Sequence, residues 1–437
     1  MTTPHGPQGG FTAPDGDQPA QSASIDSAGL NGVISTLDTT TVPPTVTPSS
    51  FDSTLNERLP IRFTGSGSEY FRIWIVNLLL TLVTAGLYFP WAKVRRLRYF
   101  YGNTLVAGHP LGFHGDPKKM LRGYLLVVLL GGLYSVAGQF SPAAGLVAFV
   151  IVAALWPALF KSSLQFRLAN TSWRGLRFRF KGDAAGAYRA LLPVFAPSAV
   201  LLGVLLAVPD QTRPPGWFGP AFTAVMGVTL LVLPLMMWNL KKYQHDHYAF
   251  AQLQTELRAG PASFYGLCLK SLGVWILSAF LVGIVIGVVM FCFAMLFGEG
   301  AADLMRNRGG TGQIAMVMLS VFIFLAVSLL MQVFARPYFT SRFQNLLWSR
   351  TGNQHLRFKS ELRFWPLLRV TLANWVLMIV TLGLYWPFAR VALTRLRLES
   401  VGIVSRTHID ALVAQAGHEG DAAGDAAGDF FGIDVGL

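Results

Sequence analysis

The densest group of side chains that could do chemistry is His245-Asp246-His247. Two imidazoles flanking a carboxylate could ligate a metal or pass a proton. A metal site, however, needs three or four ligands converging from the fold. No other His or Cys has a spacing that would join this trio, so it reads as a polar loop after Lys241-Lys242. His109, His114 and His355 lie singly in basic stretches. Cys268 and Cys292 fall in or beside one apolar segment and form neither a metal motif nor a disulfide framework. The sequence has no GxSxG elbow, phosphate-binding glycine loop, dinucleotide fingerprint or HExxH helix. The chain is therefore read as not an enzyme, with no catalytic, cofactor-binding or metal residues to assign.

The elements that would carry such residues are membrane helices. Of 437 residues, 52% are hydrophobic and only 13% charged, with a mean hydropathy of +0.46. Soluble domains carry about 25% charged residues, so too few charges remain to coat a globule. Formal net charge is +13, unevenly spread. Residues 1–57 and 407–437 each hold six acids and no Lys or Arg. The intervening core, Arg58 to Arg406, keeps all 35 cations against the ten remaining acids. Nucleic acid could attract such a core, but cations in short loops between apolar spans more simply orient the protein and meet anionic lipid headgroups. The expected partners are the bilayer and anionic lipid, with no nucleic acid. No protein partner is indicated.

The expected fold is an all-α integral membrane protein. Residues 1–57 are expected to form a disordered acidic tail, 58–406 a multi-pass membrane domain with internal repeats, and 407–437 an acidic Gly/Ala-rich tail. No basic stretch followed by an apolar one opens the chain, so the first span is expected to act as an uncleaved anchor. Eight apolar segments, near 71–90, 121–140, 143–160, 190–208, 220–240, 271–297, 314–335 and 367–388, approach the roughly 20 residues needed to cross. Pro157, Pro193, Pro197 and Pro234 fall inside them.

Asn77–Arg98 and Asn374–Arg395 match without gaps at eleven of 22 positions, among them Asn, Thr, Gly, Tyr, Pro and Arg. Asn103-Thr104 and Phe113-x-Gly115-Asp116 recur 67 residues later as Asn170-Thr171 and Phe180-x-Gly182-Asp183. Phe-x-Gly-x6-Arg occurs at Phe63, Phe113 and Phe180, with a fainter copy at Phe264-Tyr265-Gly266 and a degenerate one at Phe358-Lys359-Ser360. Leu176–Lys181 alternates apolar and cationic residues, as an extended piece at the headgroup boundary would, and the glycine is expected to allow a sharp turn into the helix.

The unit of Phe-x-Gly, Thr-x-Gly-Leu-Tyr-x-Pro and Asn-Thr resembles the YjgN-like family of bacterial inner-membrane proteins over roughly residues 60–435. The resemblance implies an inner-membrane location and brings no activity, cofactor or catalytic residue with it.

The basic links predict a cytoplasmic side. Eight crossings would then leave both termini outside, although their flanks are basic. The alternative is six crossings, with the first and eighth segments bent back at Thr-x-Gly-Leu-Tyr-x-Pro. Functionally, a transporter- or channel-like protein is the leading expectation, because repeated spans suit one. Asn77 and Asn374 could line its path or simply bond neighbouring helices. A non-catalytic envelope scaffold binding anionic lipid or partner proteins is the alternative. An apolar interior with every Arg on one membrane face would favour the scaffold.

Overall fold

The computed structural model describes residues 57–406 apart from 209–211 and 307–309, together with 408, 410 and 413. Nearly all of both acidic tails lies outside the described residues. Among the described residues, ten helices and eleven short strands form five helical hairpins rooted in one sheet. In the first, β1 (Glu57–Phe63) leads into α1 (Gly67–Val83), which returns through α2 (Phe89–Gly102) to β2 (Thr104–Val106). The second is β3 (His109–Phe113), α3 (Pro117–Phe140), α4 (Pro142–Ala169) and β4 (Thr171–Trp173). The third is β5 (Leu176–Phe180), α5 (Ala184–Leu206), α6 (Phe218–Asp246) and β6 (Tyr248–Phe250). The fourth starts from β7 (Leu253–Gln254) and β8 (Glu256–Leu257) and continues through α7 (Pro261–Arg306) and α8 (Gly310–Ser349) to β9 (Thr351–Gly352). The fifth is β10 (Leu356–Ser360), α9 (Phe364–Val380), α10 (Trp386–Glu399) and β11 (Val401–Ser405).

The all-α expectation is thus incomplete. Every strand pairs antiparallel with its neighbour, in the order β7-β6-β5-β4-β3-β2-β1-β11-β10-β9-β8. The two ends of that order, β7 and β8, are separated in the chain only by Thr255. The sheet must therefore curve through a full turn and close into a ring. Antiparallel alternation places every helical hairpin at one end of the ring and every short link, with Glu57 and Ser405, at the other. The helices form a matching circle, each packing on the next and α10 on α1.

The alternating segment Leu176–Lys181 does not lie along a headgroup boundary. Leu176–Phe180 is β5, with Phe180 buried, Phe178 partly buried and Arg177 and Arg179 exposed. Leu59, Val106 and Trp173 form one buried cluster, joined by Ile61, Leu111, Phe178, Phe250, Leu356 and Ile403. Side chains from β1–β6, β10 and β11 can meet in one cluster only by pointing into the ring. The ring is filled, and the Trp173 indole donates to the Val106 carbonyl at 3.2 Å.

Each hairpin root is closed by an equivalent backbone bond: Thr64 N–H to Asn103 O, His114 to Asn170, Lys181 to His247, Arg258 to Arg350 and Glu361 to Ser400, at 2.8–3.0 Å. The Asn-Thr pairs end the returning helices. Thr104 and Thr171 hydroxyls each donate to the carbonyl four residues back at 2.7 Å. The aspartates of Phe-x-Gly-Asp are N-caps, Asp116 accepting from Lys118 N–H and Asp183 from Gly186 N–H.

Their glycines serve a different purpose from the one expected. A Cβ on Gly65, Gly115 or Gly182 would lie 2.5–2.8 Å from the ring of the phenylalanine two residues earlier. They make room for that ring and show no left-handed turn. Phe264-Tyr265-Gly266 is likewise no copy of the strand motif, for it lies inside α7. Leu257 and Ala259 hold the equivalent places.

The first and eighth apolar segments are not continuous helices. α1 stops at Val83 and α9 at Val380. In both stops the threonine hydroxyl donates to the carbonyl four residues back (Thr84 to Leu80, Thr381 to Leu377). It also accepts the Tyr88 or Tyr385 N–H at 3.0 Å. Left-handed residues follow, Ala85 and Gly86 with φ 47° and 91°, Leu382 and Gly383 with φ 49° and 90°. Pro90 and Pro387 then open the return helices. Seventeen helical residues reach only about 25 Å, short of a bilayer core of about 30 Å. α1 and α9 also leave the ring in the same sense.

Five helices are long and apolar enough to cross a membrane among the described residues: α3, α4, α5, α6 and the Pro261–Val288 part of α7. Only 6–28% of their apolar stretches is buried within the protein, so most of that surface needs lipid to cover it.

Replacing Gly182 with Ala is expected to cost about 1–3 kcal/mol of stability by overpacking Phe180 and Tyr243. Gly266→Ala, with nothing within 4 Å, is expected to be neutral or better. Denaturant or thermal unfolding in detergent compares the two, and equal losses would refute the packing role.

Candidate functional site

The ligand-like trio ends α6 but does not converge. His245 is buried, with Nδ1 2.9 Å from Thr351 Oγ1. That hydroxyl donates to the Leu347 carbonyl at 2.7 Å, so it accepts from the imidazole, which fixes the Nδ1–H tautomer. The ring also packs edge-on against Trp348. His245 lies at the ring end of α6, beyond the apolar stretch. There burial, with a smaller push from Lys241, drives its pKa down to about 3. His247 instead donates to the Tyr243 carbonyl at 2.8 Å. Asp246 accepts the Leu257 N–H at 2.7 Å and pairs with Lys242 at 2.9 Å. His245 and Asp246 thus join the third hairpin to the fourth. Among the described residues, no three His, Cys, Asp or Glu gather as a metal site would require.

The remaining candidates are equally dispersed. His114 bonds Ser172 Oγ at 2.8 Å, His109 is exposed, and the His355 carbonyl accepts from Arg406 N–H. Cys268 and Cys292 are both free thiols. Asn77 and Asn374 are buried at matching points of α1 and α9. Asn374 donates to the Ala389 carbonyl of its own hairpin at a long 3.5 Å, while Asn77 Oδ1 has no hydrogen-bond partner among the described residues.

What the structure does assemble is charge at one pole. The outer wall of the ring carries exposed Arg58, Arg62, Arg177, Arg179, Arg357 and Lys359, each alternating with a residue that points inward. The return helices add exposed Arg95 and Arg98 on α2, Arg342 on α8, and Arg390 and Arg395 on α10. Some of these cations also hold neighbouring hairpins together. Arg98 donates to the Gly115 carbonyl and Arg395 to the Gly65 carbonyl, each at the entrance of the next hairpin round the ring. Trp238 to Ala259 and Asn345 to Leu362 make the same connection without charge. The wall's alternation could be read in the sequence, but its role as the outside of a closed ring needed the long-range pairing.

The profile of a family described as "Bacterial protein of unknown function (DUF898)" matches residues 58–430. "Inner membrane protein YjgN" of Salmonella typhimurium (strain LT2) is 25% identical over 353 residues, covering 77% of this chain and 86% of the relative. The protein of the same name from Escherichia coli K12 is 29% identical over 144 residues, 32% of this chain and 35% of its own length. No solved structure matches. With relatives so named and several apolar helices able to cross, this is a multi-pass protein of the inner membrane.

His245 gives a pH signature with a fixed sign. Its folded pKa lies below the unfolded value of about 6.5, so its contribution is complete above that pH. It is lost as pH falls toward 3, by up to about 1.4 kcal/mol per unit. Thermal unfolding in detergent between pH 7 and pH 4 is expected to show this slope, and His245→Asn to flatten it.

Proposed function

This chain belongs to the DUF898 family of bacterial proteins, and we propose that it is a non-catalytic platform that binds anionic lipid at the cytoplasmic face of the inner membrane. The observation that carries this reading is the ring itself, filled with apolar side chains and studded outside with cations. A filled ring offers no aqueous path along its axis. That weighs against a through-channel. Asn374 bonds within its own hairpin rather than across a shared path, which weighs the same way.

In this reading the ring lies on the cytoplasmic side, because the cations concentrate at its pole while the described part of the α5–α6 tip holds only Arg213. α3 to α8 make six crossings. The α1–α2 and α9–α10 hairpins enter from the cytoplasmic side, turn at Thr84–Tyr88 and Thr381–Tyr385, and return to the ring. Both termini are then cytoplasmic. The five hairpins descend from one duplicated unit, a reading supported by the common root bonds and by the shared turn at both Thr-x-Gly-Leu-Tyr elements.

Topology is tested with Cys268 and Cys292 replaced. Arg213→Cys is expected to react with a membrane-impermeant maleimide from the periplasm, while Arg174→Cys reacts only after the membrane is opened. A reporter after Leu437 is expected to be active only in the cytoplasm, and periplasmic activity would overturn the six-crossing arrangement.

Lipid binding is tested in nanodiscs. Phosphatidylglycerol is expected to be retained on purification in preference to phosphatidylcholine. Arg177→Glu with Arg179→Glu is expected to reduce that preference several-fold, since each cation near the surface contributes about 1 kcal/mol. Equal retention of the two lipids by the unaltered protein would sink the platform reading.

A further inference from the structure

The far end of the strand ring, away from the helices, has an apolar interior, and Asp410 and Val413 lie against it. β11 ends at Ser405, and Arg406 N–H donates to the His355 carbonyl at 2.8 Å, turning the chain beside the β9–β10 link. Beyond this turn, Val413 packs against the cluster of Leu59, Val106 and Trp173 that fills the ring. Asp410 meets Arg174, which stands at the tight β4–β5 turn with φ 51° and lies over the Trp173 indole. The Asp410–Arg174 distance is 2.5 Å, with the aspartate 83% exposed.

These two contacts come from different parts of the segment and differ in kind, one apolar and one ionic. We propose that the mouth of the strand ring is a docking site for an acidic segment carrying an aliphatic residue three positions after the acid, and that its resident occupant is the chain's own segment around Asp410 and Val413. Three features of the mouth select that chemistry. Its floor is apolar, built from Leu59, Val106 and Trp173. Its rim offers Arg174. The sequence after Arg406 is complementary, with six acids and no Lys or Arg. The exposed ion pair sets where the segment sits and contributes little to how tightly it binds. Burial of the valine against the floor supplies most of the hold. This inference does not depend on the lipid-binding reading, because the mouth lies along the axis and the cationic wall faces outward.

The test uses the full chain and a version ending at Arg406, both in detergent, with a fluorescent peptide of residues 405–417. The shortened chain is expected to bind the peptide and the full chain to exclude it. Val413→Asp in the peptide is expected to weaken binding about tenfold or more, and Asp410→Ala about two- to fivefold. Arg174→Asp in the shortened chain is expected to lose affinity, with recovery by the Asp410→Arg peptide. Equal binding to both chains would overturn the proposal, as would no binding to a shortened chain whose unfolding transition matches that of the full one. If the shortened chain does not fold, the full chain carrying Arg174→Cys and Asp410→Cys, with Cys268 and Cys292 replaced, decides the matter. Rapid disulfide formation, slowed at least fivefold by Val413→Asp, supports docking. No disulfide, or no slowing, refutes it.

Discussion

An unpaired strand edge leaves a row of backbone amides and carbonyls without partners, and strands of two to seven residues cannot stand alone. Closure of the ring answers both problems. β7 and β8 are joined through Thr255, whose N–H donates to the Tyr248 carbonyl at 2.8 Å, so neither end of the sheet is left as a free flank. Everything else hangs from this closure. The circle of helices matches the circle of their roots, hairpin for hairpin. The cations face outward because the inward positions are needed to fill the middle.

The local devices at the roots were visible in the sequence, although not always for the right reason. Asn103-Thr104 and Asn170-Thr171 stood out as matching pairs, and they end equivalent helices. Phe113-x-Gly115-Asp116 was recognisable as a unit. Its aspartate is a cap, but its glycine serves to admit the phenylalanine ring rather than to turn the chain. That distinction requires knowing where the ring lies, which spacing alone does not reveal. The Thr-x-Gly-Leu-Tyr-x-Pro element was legible as a helix end. Whether the chain crosses there or returns stays open in the sequence, because the apolar composition runs through the turn after the 17 helical residues.

The ring itself was scarcely legible. β9 has two residues and β4 three, too few to display an alternating period. Their partners across each hairpin lie dozens of residues away, as Leu111 opposite Trp173 and Leu257 opposite Thr351 illustrate. A lone amphipathic strand such as Leu176–Phe180 looks in isolation like something lying on lipid. The same physics explains why His245 attracted attention as a ligand. A histidine beside an acid resembles chemistry until its partner, Thr351, is found 106 residues further along.

The pairing of Leu59 with Ile403 sets the order of biosynthesis. β1 is among the first described residues to leave the ribosome and β11 among the last. The ring therefore cannot close until about 345 further residues have been made. At ordinary elongation rates of about 5–20 residues per second, this takes tens of seconds. All five hairpins must accordingly reach the membrane before their common base exists. Throughout that interval β1 keeps an open edge, and the apolar residues destined for the middle of the ring stay uncovered. The helical hairpins must hold their places through lipid and neighbouring helices alone, while the finished ring locks an arrangement the bilayer has already sorted.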